Sequence, residues 1–268
     1  MELKNFHTHS TFCDGKNTLE EMTVAAIEQG FTALGFSGHA YTSIDTSFCM
    51  SQDQTREYIR EIKRLREKYS DKIRLYIGLE ADLYTDDTDF SDFDYVIGSV
   101  HYIKCDQTYV SVDEPPSDYE KYYIDRYCGG SFIGFAEAYY ENVTKIAERL
   151  RPSLIGHFDL VTKFNEDDCL FSTSDPRYVK AWQTAADALL KLGVPFEINT
   201  GAIARNCRIT PYPSLEIAKY ITERGGSFVL SSDCHNKDFL SCKFEDALKR
   251  YSNCRIIDFE DCIKNSKR

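Results

Sequence analysis

Six histidines stand at positions 7, 9, 39, 101, 157 and 235, and each falls at or just after the end of a short apolar run. His7 and His9 follow LKNF, His39 follows ALGFSG and His101 follows YVIGSV. His157 follows SLIG and His235 follows FVLSSDC. In His7-Thr8-His9 the imidazoles are spaced i, i+2, which in extended backbone puts both on one face, where they can grip one ion. A lone H-x-H is more often incidental, and a single buried histidine is more often a hydrogen-bonded core residue. The joint distribution is harder to dismiss, because carboxylates recur in the same places. Asp14, Glu80 and Asp233 come just after the first, third and last runs. An acid such as Glu80, following LYIGL, is costly amid apolar residues unless a cation balances it. Asp233 and His235 repeat the i, i+2 spacing.

The apolar runs read as strands: Leu3–Phe6, Ala33–Phe36, Arg74–Leu79, Tyr95–Val100, Leu154–Ile155, Pro195–Ile198 and Phe228–Leu230. Helical periodicity fills the intervals. Thr18–Gly30 carries a cap at Thr18, Glu21 three residues on and a closing glycine. Gln54–Tyr69, Tyr178–Leu192, Pro213–Arg224 and a last helix at Phe244–Tyr251 follow the same logic. Strands alternating with helices imply right-handed βαβ units and a parallel sheet. Seven strands without the Gly-rich turns of a dinucleotide fold favour a barrel. In a parallel barrel the strand carboxyl ends share one rim, where active sites of this architecture are built. With no repeat and no Pro/Ser-rich linker, residues 1–268 read as a single domain. Ser117–Leu150 reads as helical matter interrupted by Gly129, Gly130 and Gly134, and residues 103–150 read as an insertion or cap over the rim.

A net charge of −11 over 268 residues argues against a nucleic-acid binder, which needs a basic track to displace counterions. It does not oppose an anionic small molecule, because bound metal ions reverse the field locally. Ten cysteines show no C-x-x-C and no compact framework, so they read as reduced thiols. The start, MELKNFHTHSTFCDG, has no basic segment leading into an apolar one, and no apolar stretch is long enough to span a membrane. These features predict a cytoplasmic protein without a membrane or nucleic-acid partner.

Taken together, His7-x-His9 with Asp14, Gly38-His39, Gly78-Leu-Glu80, Gly98-Ser-Val-His101, Gly156-His157 and Ser232-Asp233-x-His235 resemble the signatures of the polymerase-and-histidinol-phosphatase (PHP) metal-dependent phosphoesterases. The resemblance runs over nearly the whole chain. It implies an α/β fold, a distorted TIM-like (β/α)7 barrel, with three divalent metal ions at the carboxyl-end rim. By that resemblance His7, His9, Glu80 and Asp233 hold the first ion. Glu80 bridges to a second, held also by His101 and His157, and Asp14, His39 and His235 hold the third. Mixed nitrogen and oxygen ligation without thiolate fits Zn, Mn or Fe. Such a centre activates water and stabilises phosphoryl oxygens, with Glu80 and Asp233 as the catalytic carboxylates and Asp233 as the candidate for moving protons.

Within the family the chain looks most like the stand-alone histidinol-phosphate phosphatases, which hydrolyse L-histidinol phosphate, a small phosphate monoester. GHFDLVTKFN (156–165) and EINTGAIARN (197–206) resemble segments in which that branch carries phosphate-gripping basic residues. Arg205 and Lys163 occupy those positions here, Lys163 where an arginine is common; lysine keeps the charge and loses the bidentate fork. The Tyr-rich stretch 119–140 is the expected source of partners for the substrate's amine and imidazole. An alternative is a PHP phosphoesterase acting on nucleotide or oligonucleotide phosphates, and a third reading is a non-catalytic metal-binding module. Asp92-Phe-Asp94-Tyr-Val96 matches the D-x-D-x-[TV] of phosphatases that use an aspartyl nucleophile. Those aspartates must follow a strand, whereas here they precede one.

Overall fold

A computed structural model describes residues 2–266, with the side chains of residues 118, 119, 265 and 266 set aside. Strand β1 (Leu3–Asn5) leads through a loop to helix α1 (Leu19–Glu28). Thr18 and Glu21 form the expected capping box: the Thr18 hydroxyl accepts from the Glu21 amide at 3.2 Å, and Glu21 accepts from the Thr18 amide at 2.8 Å. Strand β2 (Phe31–Phe36) follows, then α2 (Gln52–Lys68), a charged helix that buries the stripe Tyr58, Ile59, Ile62 and Leu65. Its cap is Ser51 with Gln54, so it starts two residues earlier than periodicity suggested. Next come β3 (Arg74–Asp82) and β4 (Tyr95–Ser99). Strand β3 is longer than the apolar run, so Glu80 lies inside the strand rather than beyond it. Burial there is tolerated because its carboxylate meets imidazoles.

The stretch after β4 holds more than the helical matter expected over 117–150. It opens with an antiparallel hairpin, β5 (Tyr102–Cys105) and β6 (Thr108–Ser111), which period-based reading missed because both arms are only four residues long. Helices α3 (Asp118–Tyr127) and α4 (Phe132–Leu150) follow, separated by Gly129 and Gly130 in left-handed backbone. Helix α4 packs along α5 (Pro176–Leu190) and serves as the crossover into β7 (Leu154–Ile155). The chain continues through β8 (Phe196–Asn199), the short α6 (Gly201–Ala204), α7 (Leu215–Glu223), β9 (Phe228–Ser231) and α8 (Phe244–Arg250). A final helix, α9 (Phe259–Ser266), corrects the expectation that the helix at 244–251 is the last.

Seven strands form one parallel sheet in the order β1-β2-β3-β4-β7-β8-β9. At its carboxyl end an isolated parallel bridge pairs Thr8 with Cys234, joining the segments that follow the first and last strands. The sheet thus curls into the distorted (β/α)7 barrel. Inside it the Tyr95 ring lies where a Cβ on Gly35 or Gly78 would stand, 2.3 Å from its hydroxyl and 2.1 Å from its ring respectively, so both positions require glycine. The amino-terminal end is plugged by Phe259 and Ile263 of α9, packed with Phe6, Ala33, Tyr95, Ile97, Leu154 and Val229. The larger apolar core lies between the sheet and its helices. No described helix is long and apolar enough to cross a membrane.

Candidate metal centre

The turn after each strand is tied down before its histidine leaves it. His9 donates its amide to the Cys234 carbonyl at 2.9 Å, and Thr8 donates to the Ser37 hydroxyl at 3.1 Å, so the His7–His9 segment is held from both sides. Gly15 folds the following loop back onto Ser10, whose amide nitrogen would be 2.5 Å from an added Cβ, and this return delivers Asp14. Ala40 donates its amide to the Glu80 carbonyl at 2.8 Å, fixing His39 against β3. The His101 amide donates to Asp82 at 2.6 Å, and the His157 amide to Glu197 at 2.9 Å. Asp233 adopts φ 46°, an uncommon left-handed conformation that aspartate tolerates better than most residues. Gly201 makes room for it: an added Cβ would lie 2.9 Å from the Asp233 Cβ.

All six imidazoles and the three expected carboxylates converge on this rim. Three donor groups emerge: His7 with His9 and Asp233; Glu80 with His101 and His157; and His9 with Asp14, His39 and His235. Within the first, Asp233 Oδ1 is 3.1 Å from His9 Nε2 and 3.5 Å from His7 Nε2. Glu80 lies between groups. Its Oε2 is 3.1 Å from His7 Nε2 and 3.2 Å from His39 Nδ1, while its Oε1 is 2.9 Å from His157 Nε2 and 3.4 Å from His101 Nε2. Asp14 Oδ2 is 3.1 Å from His235 Nε2 and 3.7 Å from His39 Nε2. His9 and His235 stack with ring centroids 4.0 Å apart.

This donor set fits divalent cations. Burial, reinforced by His235 and His39 beside it, pushes the His9 imidazole down to about 3, so it is neutral with a lone pair to give. Its Nε2 is buried without a hydrogen-bond partner and faces Asp233 and Glu80. Burial alone would raise Glu80, yet His7, His39 and His101 hold it well below the carboxylate range. Burial would likewise depress His7, but Glu197, Glu80 and Asp233 pull it well above an ordinary imidazole. A neutral imidazole stacked among carboxylates that demand positive charge is what a cation would satisfy.

Two supporting carboxylates escaped the sequence reading. Glu197 has no solvent exposure; it lies 2.6 Å from His7 Nδ1 and accepts from Asn199 at 2.8 Å and from the Ser231 hydroxyl. Asp82 Oδ2 is 3.3 Å from His101 Nδ1. Both sit in strands; Asp82 lies two residues beyond Glu80, and a buried acid in the apolar run FEIN was the available signal for Glu197.

Arg205 reaches the centre: its guanidinium donates to Asp233 Oδ2 at 3.1 Å and lies 3.0 Å from His235 Nδ1. Lys163 is buried, and its ammonium donates to the side chain and carbonyl of Asp113 at 2.7 and 2.8 Å. The Tyr-rich stretch is drawn elsewhere. Tyr139 and Tyr140 are core residues whose hydroxyls bind the Phe158 carbonyl and Tyr178, and Tyr122 and Tyr127 face solvent; the Tyr119 side chain lies outside the described residues. Asp92 and Asp94 precede β4, and Asp94 accepts from the Ile77 amide at 2.8 Å and from Arg66 at 2.6 Å, far from the carboxyl-end rim. An apolar cleft of about 390 Å³ between β1, β9 and α8 belongs to the amino-terminal side and holds none of these donors.

A probable histidinol-phosphatase of Deinococcus radiodurans is 30% identical over 253 residues, covering 91% of this chain and 90% of that protein. A putative histidinol phosphatase of Listeria monocytogenes shares the fold with a TM-score of 0.77 at 21% identity, over 91% of this chain and 99% of its own. The histidinol phosphate phosphatase of Lactococcus lactis, solved with zinc, L-histidinol and phosphate, superposes with a TM-score of 0.69 at 20% identity, over 96% and 95% of the two chains. The PHP domain family model matches residues 5–201, which is most of the chain and all but two of the converging side chains, and the protein belongs to the PHP family.

Proposed function

We propose that this protein is a metal-dependent phosphomonoesterase that hydrolyses L-histidinol phosphate to L-histidinol and phosphate, in the cytoplasm, with residues 1–268 as one barrel domain and 103–150 as an insertion or cap segment within it. The observation that carries the reading is the convergence of six imidazoles and three carboxylates on one rim with the Arg205 guanidinium at its edge. The substrate assignment is supported by the Deinococcus relative's name and by the L-histidinol and phosphate bound to the Lactococcus structure.

His7, His9, Glu80 and Asp233 would hold one divalent ion, Glu80 with His101 and His157 a second, and Asp14, His39 and His235 a third. Zn, Mn or Fe bound there lowers the pKa of water from about 15.7 toward about 7 and draws charge from phosphoryl oxygens. The chain's own groups do the rest. Arg205 offers a planar fork to the phosphate oxygens, and Lys163 adds a second positive charge nearby. Asp233, which Arg205 and His7 keep ionised against the effect of burial, accepts the proton of the attacking water. Water attacks phosphorus, the ester P–O bond breaks, and the leaving alkoxide takes up a proton to become the alcohol.

A substrate panel run on protein whose metals have been counted tests this. L-Histidinol phosphate is expected to exceed nucleotide 3′- and 5′-phosphates in kcat/KM by at least a hundredfold. Nucleotides as the better substrates would establish the alternative phosphoesterase reading. A metal-loaded preparation inert toward every ester would establish the non-catalytic one.

A further inference from the structure

The proposed substrate poses an electrostatic problem that the centre described so far does not solve. Its ammonium is carried on the carbon next to the ester CH2, so with bond lengths near 1.5 Å it lies within about 3–4 Å of the ester oxygen. A pocket made cationic to bind phosphate repels that ammonium unless a carboxylate stands beside the phosphate and remains accessible.

Most carboxylates at this end are committed. Asp14, Glu80 and Asp233 face imidazoles. Asp82, Glu197 and Asp159 are almost fully buried, and each accepts a backbone amide, from His101, His157 and Ser214 respectively. Asp113 is different. Its side chain is 39% exposed, and it stands two residues past the end of β6, next to Val112, whose amide donates to the His101 carbonyl at 2.9 Å. The hairpin therefore pins Asp113 to a residue of the metal centre. Its carboxylate already receives an ammonium, that of Lys163, at 2.7 Å, so its position and geometry suit that group.

We infer that Asp113 is the specificity-determining residue that receives the substrate's primary ammonium, so that the site selects phosphate esters of 2-amino alcohols over esters lacking the amine. The inference rests on the function proposed above. Lys163, Arg205 and His101 surround Asp113 closely enough to hold its carboxyl below the usual range although its surroundings raise it, so it is charged when the substrate arrives. The hairpin, absent from the expected order of elements, thereby acquires a role: it carries the anion that the barrel rim cannot supply without giving up a candidate metal ligand.

The test compares wild type with Asp113→Asn and Asp113→Ser, each with its metals counted, on L-histidinol phosphate and on the same ester without the amine. The ratio of kcat/KM for the amine-bearing ester over the amine-free one is expected to fall ten- to a hundredfold in both variants, chiefly through KM. Inhibition by free L-histidinol should weaken in parallel. An unchanged ratio, whatever the absolute rates, overturns the inference. So does a wild type that turns over both esters equally well, a result that leaves the function itself standing. A wild type that hydrolyses nucleotides and not L-histidinol phosphate removes the function and the inference together, and is told apart by that activity.

Discussion

His7 Nδ1 and Glu197 Oε1 are 2.6 Å apart, and neither side chain has any exposure to solvent. This contact fixes the ring orientation, and a proton on Nδ1 directs the Nε2 lone pair toward Glu80 and Asp233. Replacing Glu197 by Gln should lower metal affinity about 10- to 100-fold, the usual cost of losing a ligand's supporting hydrogen bond. Metal titration followed by elemental analysis measures it. Unchanged affinity would mean that His7 needs no such orientation.

Glu80 contacts imidazoles of all three donor groups, so its loss should be more severe. Glu80→Ala is expected to bind at least two metal equivalents fewer and to lose more than about a thousandfold in kcat, with circular dichroism close to wild type. Near-native turnover with full metal content would remove Glu80 from its bridging position.

Arg205→Ala should reduce kcat/KM about a hundredfold while leaving the metal count intact, since a charge-assisted contact to phosphate is lost and the candidate ligands remain. Arg205→Lys should recover part of that loss. Equal loss of metal in the alanine variant would mean that Arg205 serves chiefly to hold Asp233.

The base of the barrel carries a pH-dependent tie. Glu260 of α9 accepts from Arg74 at 2.7 and 2.9 Å and from Tyr76 at 2.5 Å, and pairs with Lys4 at 2.6 Å. Burial raises its carboxyl, but Arg74 and Lys4 bring it down to about 2 from an unfolded value of 4.5. A carboxyl with a lower pKa in the folded chain stabilises above the unfolded pKa, and loses that contribution as pH falls from 4.5 toward 2. Since Arg74 is half exposed, the contribution is about 2 kcal/mol rather than the roughly 3 kcal/mol of the full shift. Urea unfolding with chelator present should find Glu260→Gln weaker by about that amount at pH 7, with a smaller difference at pH 3. A difference independent of pH would point to packing instead.

Asp92→Asn should change nothing measurable. Asp94→Asn should keep its activity and lose about 1 kcal/mol of stability, because Asp94 caps the Ile77 amide and pairs with Arg66. Thermal unfolding beside a phosphatase assay separates the two effects. A dead but folded Asp94 variant would revive the aspartyl-nucleophile reading.

Most of the barrel was legible because its strands are short apolar runs and its helices announce their caps: Thr18 with Glu21 opens α1, and Gly30 follows its end. The hairpin and α9 were not. Four-residue arms carry too little alternation to register, and α9 fully buries just two apolar side chains among its described residues, Phe259 and Ile263.

What the residue order determined by itself was the placement of each histidine and acid at a strand's carboxyl end, because side-chain period and chain direction are local properties. Tertiary structure alone decided which of them face one another. Whether Glu80 stands between His7 and His157, whether Glu197 backs His7, and whether Asp113 hangs beside Arg205 depend on how neighbouring strands register and how the sheet curls. Those distances are set by packing among residues far apart in the chain, and no spacing along it encodes them.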